Sequence, residues 1–92
     1  MIMNQLIIYS KQEDISSITN KQKTDNHENF TQKTVKVGNL VATQTSYRGA
    51  YAGELWVDTL ISNGFNTIVA SYPGDNQDNV DIFEKIIATI KL

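Results

Sequence analysis

The sequence predicts a small α+β domain: an antiparallel meander of four to five strands, with a C-terminal helix packed on one face and a short helix near residues 14–20. Three observations predict it. Short β-branched runs alternate with turn dipeptides, a polar stretch follows the first run, and apolar residues recur with helical spacing after residue 75. A length of 92 residues suits a single domain.

The composition excludes several classes of protein. With 40% apolar and 20% charged residues, the chain is typical of soluble globular domains. A net charge of −2 argues against nucleic acid as a partner, and no run approaches the ~20 apolar residues that cross a bilayer. There is no cysteine, which excludes disulfides and thiolate metal sites. The N-terminus has no signal-peptide pattern, so we expect the chain as written to be cytoplasmic.

The first strand is predicted at residues 6–9, where the side chains are aliphatic and aromatic. Asp14 then suits the N-cap of a short helix in which Ile15 and Ile18 share a face. Residues 19–29 are predicted to form a solvated helix end and a loop. The single histidine, His27, has no obvious metal-binding or catalytic partner nearby, and we interpret it as a surface residue.

Two hairpins follow. Gly38-Asn39 suits a two-residue turn that places Val37 opposite Leu40 and Val35 opposite Ala42, with all four side chains on one face. Asn63-Gly64 is a second turn signal, between strands at residues 54–61 and 65–72. That turn places one set of apolar side chains on each face of the sheet. The sheet is therefore either covered on both faces or exposed on one face for a partner. One set contains Leu55, Val57, Ile68 and Ala70, and the other contains Trp56, Leu60, Phe65 and Val69.

The C-terminal helix is predicted to begin near Asp75, which we assign as its N-cap, because Pro73-Gly74 ends the preceding strand. Its apolar stripe repeats with helical period and is widened on one side. The stripe consists of Val80, Phe83, Ile87 and Ile90, and the widening residues are Ile82 and Ile86.

Candidate chemistry is sparse. The acidic series Asp75, Asp78, Asp81 and Glu84 lacks the sixth-position glycine of a calcium loop, because Val80 stands there, and helix capping explains it better. No serine lies in a Gly-x-Ser-x-Gly elbow. We therefore predict no catalytic residues, no bound metal, no cofactor and no enzymatic activity.

The best binding candidates are Tyr47, Arg48 and Tyr51, with Trp56 nearby, because Tyr, Arg and Trp are enriched at interface hot spots. The alternative interpretation is that Tyr47 and Tyr51 flank a turn while Trp56 lies in the core.

The segment Ser71-Tyr72-Pro73-Gly74-Asp75-Asn76, together with the helix ending Phe83-Glu84-Lys85-Ile86-Ile87-Ala88-Thr89-Ile90-Lys91-Leu92, resembles the close of PsbP-like domains of bacterial envelope proteins and lipoproteins. Such domains usually begin with further strands and a Pro-x-x-Trp-like segment, which nothing before Leu6 matches. The chain thus resembles the later part of such a domain. The resemblance implies a non-catalytic assembly or docking module, an extracytoplasmic location if the chain is cropped from an envelope protein, and no transferable site residue.

The leading functional hypothesis is a non-enzymatic interaction module of PsbP-like type that binds a protein partner or itself, because a shortened domain leaves sheet edges open. The alternative is a small phage or mobile-element protein that binds and inhibits a host factor.

Overall fold

The computed structural model describes residues 5–26, 29–49 and 53–91. Its five strands form one antiparallel sheet in the order β1-β5-β4-β3-β2. This architecture confirms the predicted α+β fold, with one helix near each end of the chain. The elements in chain order are β1 (Ile7–Lys11), α1 (Ile15–Asp25), β2 (Thr31–Val37), β3 (Leu40–Arg48), β4 (Leu55–Asn63), β5 (Asn66–Pro73) and α2 (Gln77–Ile87).

Each face of the sheet carries a helix. On the face covered by α2, which we call the α2 face, the strands and the helix share one apolar core. The residues buried in this core are Val37, Ala42, Val57, Ile61, Ala70, Tyr72, Val80, Phe83 and Ile87. On the opposite face, the α1 face, Ile18 of α1 packs with Leu60 and Val69 in a smaller cluster. The sheet is therefore covered on both sides, which was one of the two outcomes the sequence allowed.

The first hairpin has the predicted register. Val37 pairs with Leu40, and Val35 pairs with Ala42. Gly38 takes a φ of +61° in the turn, a conformation that glycine adopts without steric cost. All four paired side chains belong to the core under α2, as the sequence predicted.

The second turn was predicted wrongly. It consists of Gly64-Phe65, so Asn63 pairs with Asn66 and the strands are shifted by two residues. This register places Asp58 opposite Ser71 and Leu60 opposite Val69, so polar pairs with polar and apolar with apolar. The Asn63-Gly64 turn would place Asp58 opposite Val69 instead.

A shift of two residues in the β4–β5 register leaves each side chain on the same face of the sheet. Leu55, Val57, Ile68 and Ala70 accordingly share the α2 face as predicted. Leu60 and Val69 share the other. Phe65 does not join them, because it lies in the turn and is 99% exposed.

Helix α1 begins as predicted, since the Asp14 carboxylate accepts a hydrogen bond from the Ser17 backbone N–H at 2.7 Å. It continues to Asp25, five residues beyond the predicted stretch. The added turns are stabilised by contacts with the sheet, because Gln22 hydrogen-bonds to residues of β3 and β4. The loop before α1 is also fixed, by the Thr67 hydroxyl donating to the Glu13 carbonyl at 2.7 Å.

Helix α2 has a different N-cap from the predicted Asp75. The Asn76 side chain accepts hydrogen bonds from the backbone N–H groups of Asp78 and Asn79. Asp75 instead accepts from the Leu55 N–H at 3.0 Å, which ties the helix entry to β4. Over the described ranges, neither helix is long and apolar enough to span a bilayer.

Candidate functional site

A buried polar cluster lies on the α1 face, in the middle of the sheet. Asp58 of β4 is only 3% exposed, although it follows the apolar run Leu55-Trp56-Val57. Its Oδ2 accepts a hydrogen bond from Gln22 Nε2 at 2.7 Å and another from the Tyr47 hydroxyl at 3.1 Å. The Gln22 Oε1 accepts from the Thr45 hydroxyl at 2.8 Å. We call Gln22, Thr45, Tyr47 and Asp58 the Asp58 cluster.

The Asp58 carboxylate is only partly satisfied by these contacts. Its Oδ1 is buried and has no hydrogen-bond partner of good geometry among the described residues. Burial raises the pKa of Asp58 above its usual range, and the neighbouring side chains of Ser71, Tyr47 and Gln22 offset only part of that rise. Burial, followed by the Asp58 charge, also raises the pKa of Tyr47. The cluster therefore holds a carboxylate that pays a desolvation penalty when it ionises.

Stability should consequently depend on the ionisation of Asp58. An acid whose pKa is raised by folding binds its proton more tightly in the folded state, so this group lowers stability as the pH rises through that pKa. We expect Asp58→Asn to raise the melting temperature at pH 7. The difference from wild type should shrink as the pH falls toward the pKa of an unfolded aspartate.

Melts of both proteins across this pH range, followed by circular dichroism, measure that difference. Because only the difference is compared, the titration of other carboxyl groups such as Glu13, whose pKa is lowered by Lys21, cancels. An unchanged or lower melting temperature for Asp58→Asn at pH 7 would contradict the assignment of a desolvated charge.

An open groove adjoins the Asp58 cluster on the same face of the sheet, and Tyr47 belongs to both. It has a volume of about 420 Å³. Its walls are mostly aromatic and aliphatic, and Ser71, the cross-strand partner of Asp58, lies in it. The lining residues are Ile7, Tyr9, Tyr47, Gly49, Trp56 and Ser71. We call this feature the aromatic groove.

The predicted binding residues are only partly brought together. Tyr47 and Trp56 are cross-strand partners, and both line the aromatic groove. Arg48 follows Tyr47 in β3, and its side chain is held by contacts within the chain. Its Nη1 donates to the Gly53 carbonyl at 2.8 Å and lies 3.4 Å from Asp75 Oδ1. Tyr51 and the loop residue His27 lie outside the described residues. The binding role of all four candidates stays a prediction.

Of the residues in the Asp58 cluster and the aromatic groove, the sequence predicted only Tyr47 and Trp56 as binding residues. Asp58 was detectable, because a single charged side chain interrupts the apolar run of β4. Tyr9 lies in β1, which pairs with β5 although the two strands are far apart in the sequence. No local sequence pattern predicts that pairing.

A second surface lies along β1, the edge strand of the sheet. Several large apolar side chains there are exposed, each between 42% and 54%. They are Ile7, Ile8 and Tyr9 of β1 and Ile82 and Ile86 of α2. We call this set the β1-edge surface. The only other large hydrophobic side chains exposed in the described part of the chain are Val41 and Phe65.

Helix geometry places Ile82 and Ile86 toward β1. Phe83 and Ile87 face the sheet, and Glu84 and Ala88 line a cavity shared with residues of β2 on one flank of the helix. Successive helical residues are about 100° apart, so Ile82 and Ile86 emerge on the other flank. These two residues were predicted to widen the buried stripe, and the structure leaves them half exposed.

The acidic residues around α2 make local contacts. Asp75 binds the Leu55 N–H, and Asp81 Oδ1 accepts from Gln77 Nε2 at 2.9 Å. In the described ranges, no group of three or more His, Asp or Glu side chains could hold a metal ion.

Comparison of the chain with protein-family models, with curated proteins and with solved structures finds no match.

Proposed function

We propose that this protein is a non-enzymatic interaction module that self-associates by pairing β1 with β1 of a second copy. The observation that carries the proposal is the β1-edge surface. The outer edge of β1 has no neighbouring strand among the described residues, so half of its backbone N–H and C=O groups face outward. All five side chains of β1 are exposed, and the first three, Ile7, Ile8 and Tyr9, are large and apolar.

The two edges of the sheet differ in a way that favours this choice. At the opposite edge, β2 carries Lys33 and Lys36, and such charges on an edge strand discourage pairing with another chain. On β1 the one charged residue, Lys11, comes last. Pairing through β1 is therefore the less obstructed of the two.

A second copy of this chain fits the β1-edge surface by symmetry. Two antiparallel β1 strands related by a two-fold axis perpendicular to the sheet would form one continuous sheet of ten strands. The same axis keeps both α2 helices on one face. Ile82 and Ile86 of the two copies would then meet across the axis and lose the exposure that each has alone.

The relation to PsbP-like domains belongs to the same proposal. It is supported by the order of elements, in which an edge strand and a short helix precede a meander and a closing helix. Domains of that kind act mostly as assembly or docking modules, which agrees with a role in self-association.

The expected result is that the wild-type chain sediments as a dimer at micromolar concentrations, while Ile8→Glu is monomeric. The substitution places a carboxylate in the apolar interface, where its desolvation is destabilising. Sedimentation velocity over a series of concentrations measures this.

Val41→Glu is the matched control. It makes the same change at an exposed strand residue far from β1, opposite Lys36, and should leave the dimer intact. Circular dichroism checks that both variants are folded. A wild-type chain that stays monomeric up to high micromolar concentration would refute the proposal.

A further inference from the structure

We propose that the aromatic groove binds a small quaternary ammonium ion, with the adjacent Asp58 supplying the countercharge. The inference is separate from β1 pairing: Ile7 and Tyr9 line the groove and also belong to the β1-edge surface, but Tyr47 and Trp56 lie on β3 and β4, inside the sheet. It concerns a free small molecule rather than a protein partner.

The groove has the side chains that attract organic cations. Tyr9, Tyr47 and Trp56 come from three different strands and converge on one open volume of about 420 Å³. Aromatic rings attract a cation through the negative potential of their faces, most strongly in tryptophan. Ile7 adds apolar surface, and at the rim a Cβ on Gly49 would meet the Glu54 carboxylate at 3.0 Å, so a second acidic side chain lies near Trp56.

The negative charge lies next to the groove, because Tyr47, a lining residue, donates its hydroxyl hydrogen bond to Asp58. Asp58 faces Ser71 across the β4–β5 ladder, and Ser71 lines the groove. Asp58 is a buried residue, and its Oδ1 is without a geometrically good hydrogen-bond partner among the residues the structure describes. Lys11, a cation on the same face of β1, lies within 3.5 Å of Glu13 and forms an ion pair with it. Lys11 and three side-chain donors stabilise the ionised carboxylate only in part, because burial still raises the pKa of Asp58 above its usual range, so a cation in the groove would add to that stabilisation.

The groove favours a quaternary over a primary ammonium ion. A primary ammonium presents three N–H donors that each need an acceptor. The lining residues offer few side-chain acceptors, because only Ser71, Tyr9 and Tyr47 among them carry a hydroxyl, and Tyr47 donates its hydroxyl hydrogen to Asp58. A quaternary ion has no N–H donor, so it loses nothing by lying against rings and aliphatic carbons.

Choline is the probe that tests this inference, and Trp56 is the reporter, because it is the only tryptophan in the chain. We expect a saturable change in Trp56 fluorescence with choline. The uncharged analogue of choline, in which carbon replaces the nitrogen, should bind about tenfold more weakly. Ethanolamine should also bind more weakly than choline.

Variants separate charge from shape. Asp58→Asn keeps the size of the side chain and should abolish the preference for choline over its uncharged analogue. Tyr9→Leu should weaken choline binding roughly two- to fivefold, as expected for one exposed cation–π contact. Val41→Ser is the control, because Val41 is an exposed residue of β3 that lines neither the groove nor the β1-edge surface, and it should leave binding unchanged.

The inference is overturned by any of three results: no saturable change with choline, equal affinities for choline and the uncharged analogue, or a preference that survives in folded Asp58→Asn. The titrations are repeated on the Ile8→Glu background, so that β1 pairing, which sedimentation measures separately, does not enter the comparison.

Discussion

Replacing Phe83 with aspartate is expected to undock α2 and to lower the free energy of unfolding by about 4 kcal/mol or more. Phe83 is 8% exposed, and its ring lies 5.4 Å from that of Tyr72, centroid to centroid. Truncating a buried phenylalanine costs about 3–5 kcal/mol, and a carboxylate in the same place adds desolvation. Because small domains are stable by only about 5–15 kcal/mol, most of the stability should disappear.

Urea denaturation followed by circular dichroism measures the effect. Ile82→Asp is the matched control, since it makes the same change one residue away on the half-exposed flank of α2. Both variants are best made on the Ile8→Glu background, so that loss of self-association does not enter the comparison. If Phe83→Asp unfolded at the same urea concentration as its parent, α2 could not be stabilised by the contacts described.

The apolar pattern was enough to predict which residues share a face, but not which residues pair. In the β4–β5 hairpin, the turns Asn63-Gly64 and Gly64-Phe65 both satisfy local turn chemistry, and both leave Val57 and Ala70 on one face. The choice between them rests on pairing across the strands, where Asp58 meets Ser71 and not Val69. A reading that weighs hydrophobicity alone cannot detect that difference.

The N-cap of α2 shows the same limit at shorter range. Asp75 and Asn76 are both good N-cap residues by type. The backbone N–H of Leu55, distant in sequence, lies within reach of the Asp75 carboxylate, so Asn76 takes the cap. The sequence predicts that a cap exists, and the tertiary contact selects the residue.

The candidate site was less predictable than the fold, because its members come from four strands and a helix. Tyr47 and Trp56 were identified by residue type, and their pairing follows from the β3–β4 register. Gln22 gave no signal, since a glutamine in a polar stretch is usually solvated. Its role depends on α1 crossing the sheet at Asp58.

Because of that role, Gln22→Leu is expected to lower the free energy of unfolding by the second largest amount. The amide is the only side chain that joins α1 to both Thr45 and Asp58 in the described contacts. Leucine keeps similar bulk but removes both hydrogen bonds, leaving a fully buried hydroxyl and a nearly buried carboxylate with fewer partners. Each such loss costs about 1–3 kcal/mol, and more for a charge, so we expect a total of about 2–5 kcal/mol.

The pH dependence of this loss identifies its cause. The charged form of Asp58 depends on the Gln22 donor more than the protonated form does, so the destabilisation by Gln22→Leu should be larger at pH 7 than in acid. Denaturation curves at both pH values test this, with Lys23→Leu as the control on the exposed side of α1, expected within about 0.5 kcal/mol of wild type. A loss that is equal at both pH values would mean that Gln22 stabilises α1 through Thr45 and packing alone, and that the charge of Asp58 is balanced by other groups.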